Sequence, residues 1–216
     1  MPLSAARVLL HPPKRYALSF DGEDDYVEVA DDPSLRPSSI TIEVMFYISD
    51  VTRTLHTLVS KRYNYYEFQL GYPSGGKYLI RGRWVTTDGT IRYTVSASRI
   101  IEPFTWYHAV YIYPDEKIFL NGSEIVVDYA TGTTTFDPTY PLTIGATPDV
   151  ADFAKGLIAF ARIYNRALSA AEIQHNYLNP MSPITDGLVL WLKMEEGSGT
   201  TVHDYSGYGN DGVIHA

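Results

Sequence analysis

Apolar and polar residues alternate with period two through most of the chain. The stretches "YVEVA" (26–30), "ITIEVMFYI" (40–48), "EFQLGY" (67–72), "KYLIRGRWV" (77–85) and "TIRYTVSA" (90–97) have strand length and end at Gly, Pro, Asp or Ser. After them come "WYHAVYIY" (106–113), "KIFLNGSEIVV" (117–127), "LTIGA" (142–146), "GLIAFARIYN" (156–165) and "GLVLWLKM" (187–194). About a dozen short strands at this spacing predict a sandwich or a barrel. Asn121-Gly122 between two apolar runs predicts a tight hairpin, because a type I′ turn needs positive φ at both central positions. The same residues with Ser123 form a glycosylation sequon, which the turn already explains. One helix is expected over 169–178: Ser169 and Glu172 make a capping box, and Ala170, Ala171, Ile173, His175, Tyr177 and Leu178 lead to Asn179-Pro180.

With 216 residues, 45% of them hydrophobic, the chain can bury one sizeable core, so a single domain over 1–216 is expected. The net charge of −8 and the scatter of the 17 Lys and Arg argue against nucleic acid and anionic membranes as partners. The opening "MPLSAARVLLHPPKRY" is too short and too broken to read as a signal peptide or a membrane-inserting span. Without cysteines there are no disulfides, thiolate metal sites or Cys nucleophiles. Tyr is abundant, 18 residues, which suits packing in strands and equally suits stacking platforms for sugars.

The ordered stretches "ALSFDGEDDYVEV", "SITIEVMFYI", "TLVSKRYNYYEFQLGY", "WYHAVYIY", "KIFLNGSEI", "LTIGA" and "GLIAFARIYNRALSAAEI" resemble the laminin G-like jelly roll of the concanavalin A-like lectin and glucanase superfamily. The resemblance implies an all-β fold, an antiparallel two-sheet jelly-roll sandwich with one short helix. In that family a stretch similar to "LVLWLKMEEGSGTTVHDYSGYGNDGVI" precedes the "ALSFDG" strand, whereas here it occupies the end of the chain. Three explanations stay open. A circular permutation lets 187–216 close its own sandwich, with "VIHA" beside "ARVLL"; the segment opens a second domain; or it completes a neighbouring molecule's sheet.

Glycoside hydrolysis needs two carboxylates about 5 to 9.5 Å apart. Glu195-Glu196 and Asp24-Asp25 are adjacent and point to opposite sides of an extended chain, and no Glu-x-Asp-x-x-Glu strand of the related glucanases occurs. Glu28 and Glu43 alternate with apolar neighbours and read as solvated strand positions. His11, His56, His108, His175, His203 and His215 show no catalytic or metal-binding spacing. No enzyme activity is expected.

The resemblance implies one structural calcium ion, which needs several oxygen ligands gathered by loops. "DGEDD" and "HDYSGYGND" supply Asp21, Asp24, Asp204 and Asp211, with carbonyls of Gly207 or Gly209. Family members often add an Asp where this chain has Ala159, which puts that part of the site in doubt. Asp204, Ser206, Asn210 and Asp211 also read as caps of tight turns. If the terminal segment closes the fold, Asp21 and Asp204 should approach each other.

Candidate ligand contacts are Tyr63, Asn64 and Tyr65 in the loop from Lys61 to Glu67, and a strand face carrying Arg81, Arg83 and Arg92, suited to acidic sugars. A solvated outer face explains the arginines as well. The function expected from the resemblance is a carbohydrate-binding or adhesive module displayed outside the cell. The alternative is a structural subunit of an extracellular or virion-surface assembly that contacts neighbouring copies, with a hydrolase remnant third.

Overall fold

The alternating stretches form strands because the chain offers each a buried face and β-branched or aromatic side chains to fill it. The computed structural model describes residues 16–61, 65–149 and 151–216. Its strands follow as β1 (Leu18–Asp21), β2 (Tyr26–Val29), β3 (Ile40–Ile48), β4 (Leu55–Ser60), β5 (Tyr66–Ser74), β6 (Lys77–Val85), β7 (Thr90–Ser96) and β8 (Trp106–Tyr113). Then come β9 (Lys117–Leu120), β10 (Ser123–Glu124), β11 (Val127–Thr133), β12 (Leu142–Ile144), β13 (Lys155–Tyr164), helix α1 (Ala170–Leu178), β14 (Leu188–Leu192), β15 (Thr201–Val202) and β16 (Gly212–His215).

Two antiparallel sheets pack as a jelly-roll sandwich. The seven-stranded sheet runs β1-β13-β3-β8-β9-β10, with β14 also on β13; the nine-stranded sheet runs β11-β7-β6-β5-β4-β12-β2-β16-β15. Between them lies one core that includes Val44, Phe46, Phe68, Leu70, Tyr111 and Ile144. Contact is close where β6 crosses β8: a Cβ on Gly82 would lie 2.2 Å from the Tyr111 ring, so the strand needs glycine there.

The expected hairpin and helix are present. Asn121 and Gly122 have φ of 49° and 79°, as a type I′ turn requires. Ser169 and Glu172 form the reciprocal capping box of α1. The hairpin's second arm is shorter than the sequence suggests: it ends at Glu124, and the apolar residues beyond it cross to the other sheet as β11.

The terminal segment pairs with its own chain. β14 lies along β13 (Leu190↔Ile163), end to end with β1 on the same edge, and β16 lies along β2 (Val213↔Glu28). Leu18 and Ala216 line one small cavity, so the two ends of the described sandwich are neighbours. The expected partner "ARVLL" lies outside the described residues.

Glu43 is not a solvated strand residue. It is fully buried, because α1 and its flanking segments cover the outer face of the seven-stranded sheet. Its carboxylate accepts hydrogen bonds from Arg162 at 2.9 Å, from His108 Nε2 at 2.7 Å and from Asn176 at 3.0 Å. Arg162, itself fully buried, also donates to the Pro180 carbonyl and lies over the rings of Phe160 and Trp191 at 4.0 and 4.9 Å. Burial pushes the Glu43 carboxyl up, but the charge of Arg162 and the bond from His108 outweigh it and hold it at about 2. This face is sealed.

Candidate functional site: an aromatic cleft at the end of the sandwich

The last inward position of β6 is Trp84, and beyond it the two sheets part. Trp84 stacks on Tyr113 of β8 with ring centroids 4.3 Å apart and planes 10° from parallel. Tyr65 packs against Trp84 at 5.0 Å and meets Phe136 edge-on at 5.5 Å. With Arg36, Ser38, Thr86 and Thr87 these rings enclose an open cleft of about 350 Å³. Tyr113 and Phe136 are partly exposed, whereas Tyr65 and Trp84 are nearly buried and form the floor. Tyr65 is fixed by its hydroxyl, which donates to the Pro37 carbonyl, and Arg36 by its pairing with Asp31. Burial raises the Tyr65 phenol well above its ordinary range, so it stays a neutral donor. Apolar rings with a few oriented polar groups at the rim are the usual composition of a small-molecule site.

The arginines expected to share one face are divided by the strand register. Arg81 and Arg83 lie opposite Val95 and Tyr93, but Arg92 lies opposite Trp84, and cross-strand partners share a face. Arg92 therefore belongs to the inner side, near the cleft and Tyr113, while Arg81 and Arg83 stand on the outer face of the nine-stranded sheet. On that face Arg81 donates to the Gln69 carbonyl oxygen at 3.1 and 2.6 Å and to the Tyr72 hydroxyl at 3.2 Å, and its guanidinium lies 5.9 Å from the Tyr93 ring. Arg83 is buried and pairs with Glu67 at 3.3 Å. Tyr63 and Asn64 lie outside the described residues; Tyr65, from the same loop, is in the cleft.

The four candidate calcium ligands also separate. Asp21 and Asp24 converge with Asp25, each offering an oxygen within 4.8 Å of the others. Asp21 Oδ1 accepts the N–H groups of Glu23 and Asp24, and these bonds hold its carboxyl below the usual range. Among the described residues Asp204 and Asp211 do not join this cluster. They organise their own loop: Asp204 accepts from the backbones of Trp191, Ser206 and Asn210, and Asp211 accepts from the Asp204 N–H. Ala159 is buried beside Phe160 and offers no ligand. The remaining oxygens of Asp21, Asp24 and Asp25 suit a hard cation, with further ligands needed to reach the six to eight oxygens calcium takes.

Alternation along "KYLIRGRWV" puts Trp84 on the same side as Tyr78 and Ile80, but does not show that the sandwich opens there. Trp84, Tyr113, Phe136 and Arg36 come from four separate segments. The one local signal was a large aromatic residue at the end of a strand, followed by the polar turn Thr86–Gly89.

Residues 21–174 match the laminin G-like family described as the concanavalin A-like lectin/glucanases superfamily. No curated protein matches the sequence. Among solved structures, a protein from Bacteroides ovatus proposed to bind carbohydrate is 19% identical with a TM-score of 0.65, over 93% of this chain and 58% of that one. Domain 4 of an extracellular arabinanase from Geobacillus stearothermophilus, in complex with arabinotriose, is 16% identical with a TM-score of 0.51, over 74% of this chain and 75% of that one. The enzymatically active domain of tailspike protein 2 of bacteriophage CBA120 is 15% identical with a TM-score of 0.54, over 89% of this chain but 35% of that one. At these identities the likeness is one of fold.

Proposed function

Because the chain belongs to the laminin G-like family of the concanavalin A-like lectin/glucanase superfamily, we propose that it is a non-catalytic glycan-binding module whose ligand sits in the Trp84–Tyr113 cleft. The observation that carries this reading is the aromatic lining of Trp84 stacked on Tyr113 with Tyr65 and Phe136 packed beside them, and hydroxyls and Arg36 at its rim. Sugars present an apolar C–H face to such rings while their hydroxyls bond to the polar rim. The Bacteroides and Geobacillus structures, one proposed to bind carbohydrate and one holding an arabinotriose, support the ligand class by analogy.

The same proposal covers display outside the cell or on a virion, the placing of 187–216 where the family has its opening strands, and a structural calcium held by Asp21, Asp24 and Asp25. Two strand carboxylates are withdrawn from hydrolysis: Glu43 is sealed under α1, and Glu67 is committed to Arg83. A glycan array followed by titration calorimetry tests the reading. Saturable binding that weakens at least about tenfold in Tyr113→Ala and Phe136→Ala is expected, without release of reducing ends. Binding to no glycan, or turnover of a bound one, would refute it.

A further inference from the structure

The nine-stranded sheet ends at β11, whose outer side has no partner strand among the described residues. Most of β11 is exposed, and Tyr129 and the preceding Val126 are 61% and 79% exposed. Edge strands that stay unpaired are usually protected by lysines, prolines or bulges. "VDYATGT" has none of these: its register with β7 runs unbroken from Val127↔Ser96 to Thr133↔Thr90, and its one charge is Asp128.

The hydrogen bonds at its two ends show which backbone groups are free. The Ala97 N–H donates to the Val126 carbonyl at 3.0 Å, and the Thr134 N–H to the Gly89 carbonyl at 2.9 Å. Bonded positions alternate along an antiparallel ladder. Even-numbered residues of β11 therefore face β7, and Val127, Tyr129, Thr131 and Thr133 turn their N–H and C=O groups outward.

We propose that a second copy of this chain pairs with β11 antiparallel about a two-fold axis at Ala130, joining two nine-stranded sheets into one. This register pairs Val127 with Thr133 and Tyr129 with Thr131, so each outward-turned residue meets another outward-turned residue and the whole strand is matched. It also sets each Asp128 opposite Gly132, which keeps the two negative charges apart. Thr131 is beside Arg92 and Arg92 beside Trp84, so the partner's Tyr129 extends the row that leads to the cleft. Five strand spacings separate the two Trp84 residues, which puts them about 25 Å apart, with the two clefts opening at opposite ends of the joined sheet. The dimer requires no glycan and does not rest on the cleft reading.

Sedimentation equilibrium of the full chain, with Ala130→Lys and Ala130→Asp, tests the pairing. Ala130 is exposed, so each variant monomer should keep its fold, checked by an unchanged circular dichroism spectrum. The wild type should dimerise. Each variant alone should raise the dissociation constant more than about tenfold by placing like charges across the axis. Mixing the two variants should restore the dimer. A wild type that stays monomeric to its solubility limit, or a dimer indifferent to the charge at position 130, would overturn the proposal.

Discussion

Replacing Glu43 by Gln probes how the seven-stranded sheet is closed to ligand. Arg162, His108 and Asn176 all donate to this carboxylate, at 2.9, 2.7 and 3.0 Å, and all are at most 1% exposed. A Gln offers one oxygen and an NH₂ group, so a donor must face a donor and the Arg162 charge is left uncompensated. Breaking one side of such a buried pair costs about 3–5 kcal/mol, a large share of the roughly 5–15 kcal/mol that holds a domain together. The lowered carboxyl pKa corresponds to a similar figure: at 4.5 when unfolded and about 2 when folded, it contributes about 3 kcal/mol. That stability is present above pH 4.5 and is lost as the pH falls toward 2. Urea unfolding followed by tryptophan fluorescence should show the midpoint falling at unchanged slope. Thermal melting should drop by about 6–20 °C. The double variant Glu43→Met with Arg162→Met should recover part of the loss, since it removes the uncompensated charge but leaves the His108 and Asn176 donors unpaired. If Glu43→Gln lies within about 1 kcal/mol of wild type, the residue is solvated and the sealed face does not exist.

Three further outcomes follow from the same packing. His56 is buried, with Nδ1 accepting from the Lys155 N–H and Nε2 donating to the Tyr78 hydroxyl; burial lowers its pKa from 6.5 to about 4. Its contribution of about 3 kcal/mol is present above pH 6.5 and lost as the pH falls toward 4, so His56→Gln should flatten stability over that window in acid titrations. Gly82→Ala, with its Cβ 2.2 Å from the Tyr111 ring, should cost about 1–3 kcal/mol in urea unfolding. A chain ending at Pro183 loses Leu188, Val189, Leu190, Trp191, Leu192, Met194 and Val202, all buried. At about 1.5–3 kcal/mol each, that matches or exceeds the stability of the whole domain, and size-exclusion chromatography should find no folded monomer.

Local features of this fold were readable in the sequence, and features that depend on distant chain were not. Asn121-Gly122 and Ser169–Glu172 settle their own geometry within a few residues, so the hairpin and helix emerge as expected. Glu43 sits in an alternating strand identical in pattern to a solvated one, and only the arrival of α1, more than a hundred residues later, buries it. Arg92 alternates correctly within β7, yet which side it shares with Trp84 is decided by the register against β6. Asp204 and Asp211 look like ligands by type but are consumed by their own loop. The cleft combines residues near positions 36, 65, 84, 113 and 136, brought together by sheet packing alone.

The most direct measurement is the location of a bound sugar. A glycan selected on the array and isotopically labelled would be mapped by intermolecular nuclear Overhauser effects. The account predicts contacts from the sugar ring protons to Trp84, Tyr113 and Phe136. Contacts instead to Tyr72 and Tyr93 beside Arg81, or to the exposed Tyr205 and Tyr208, would contradict it.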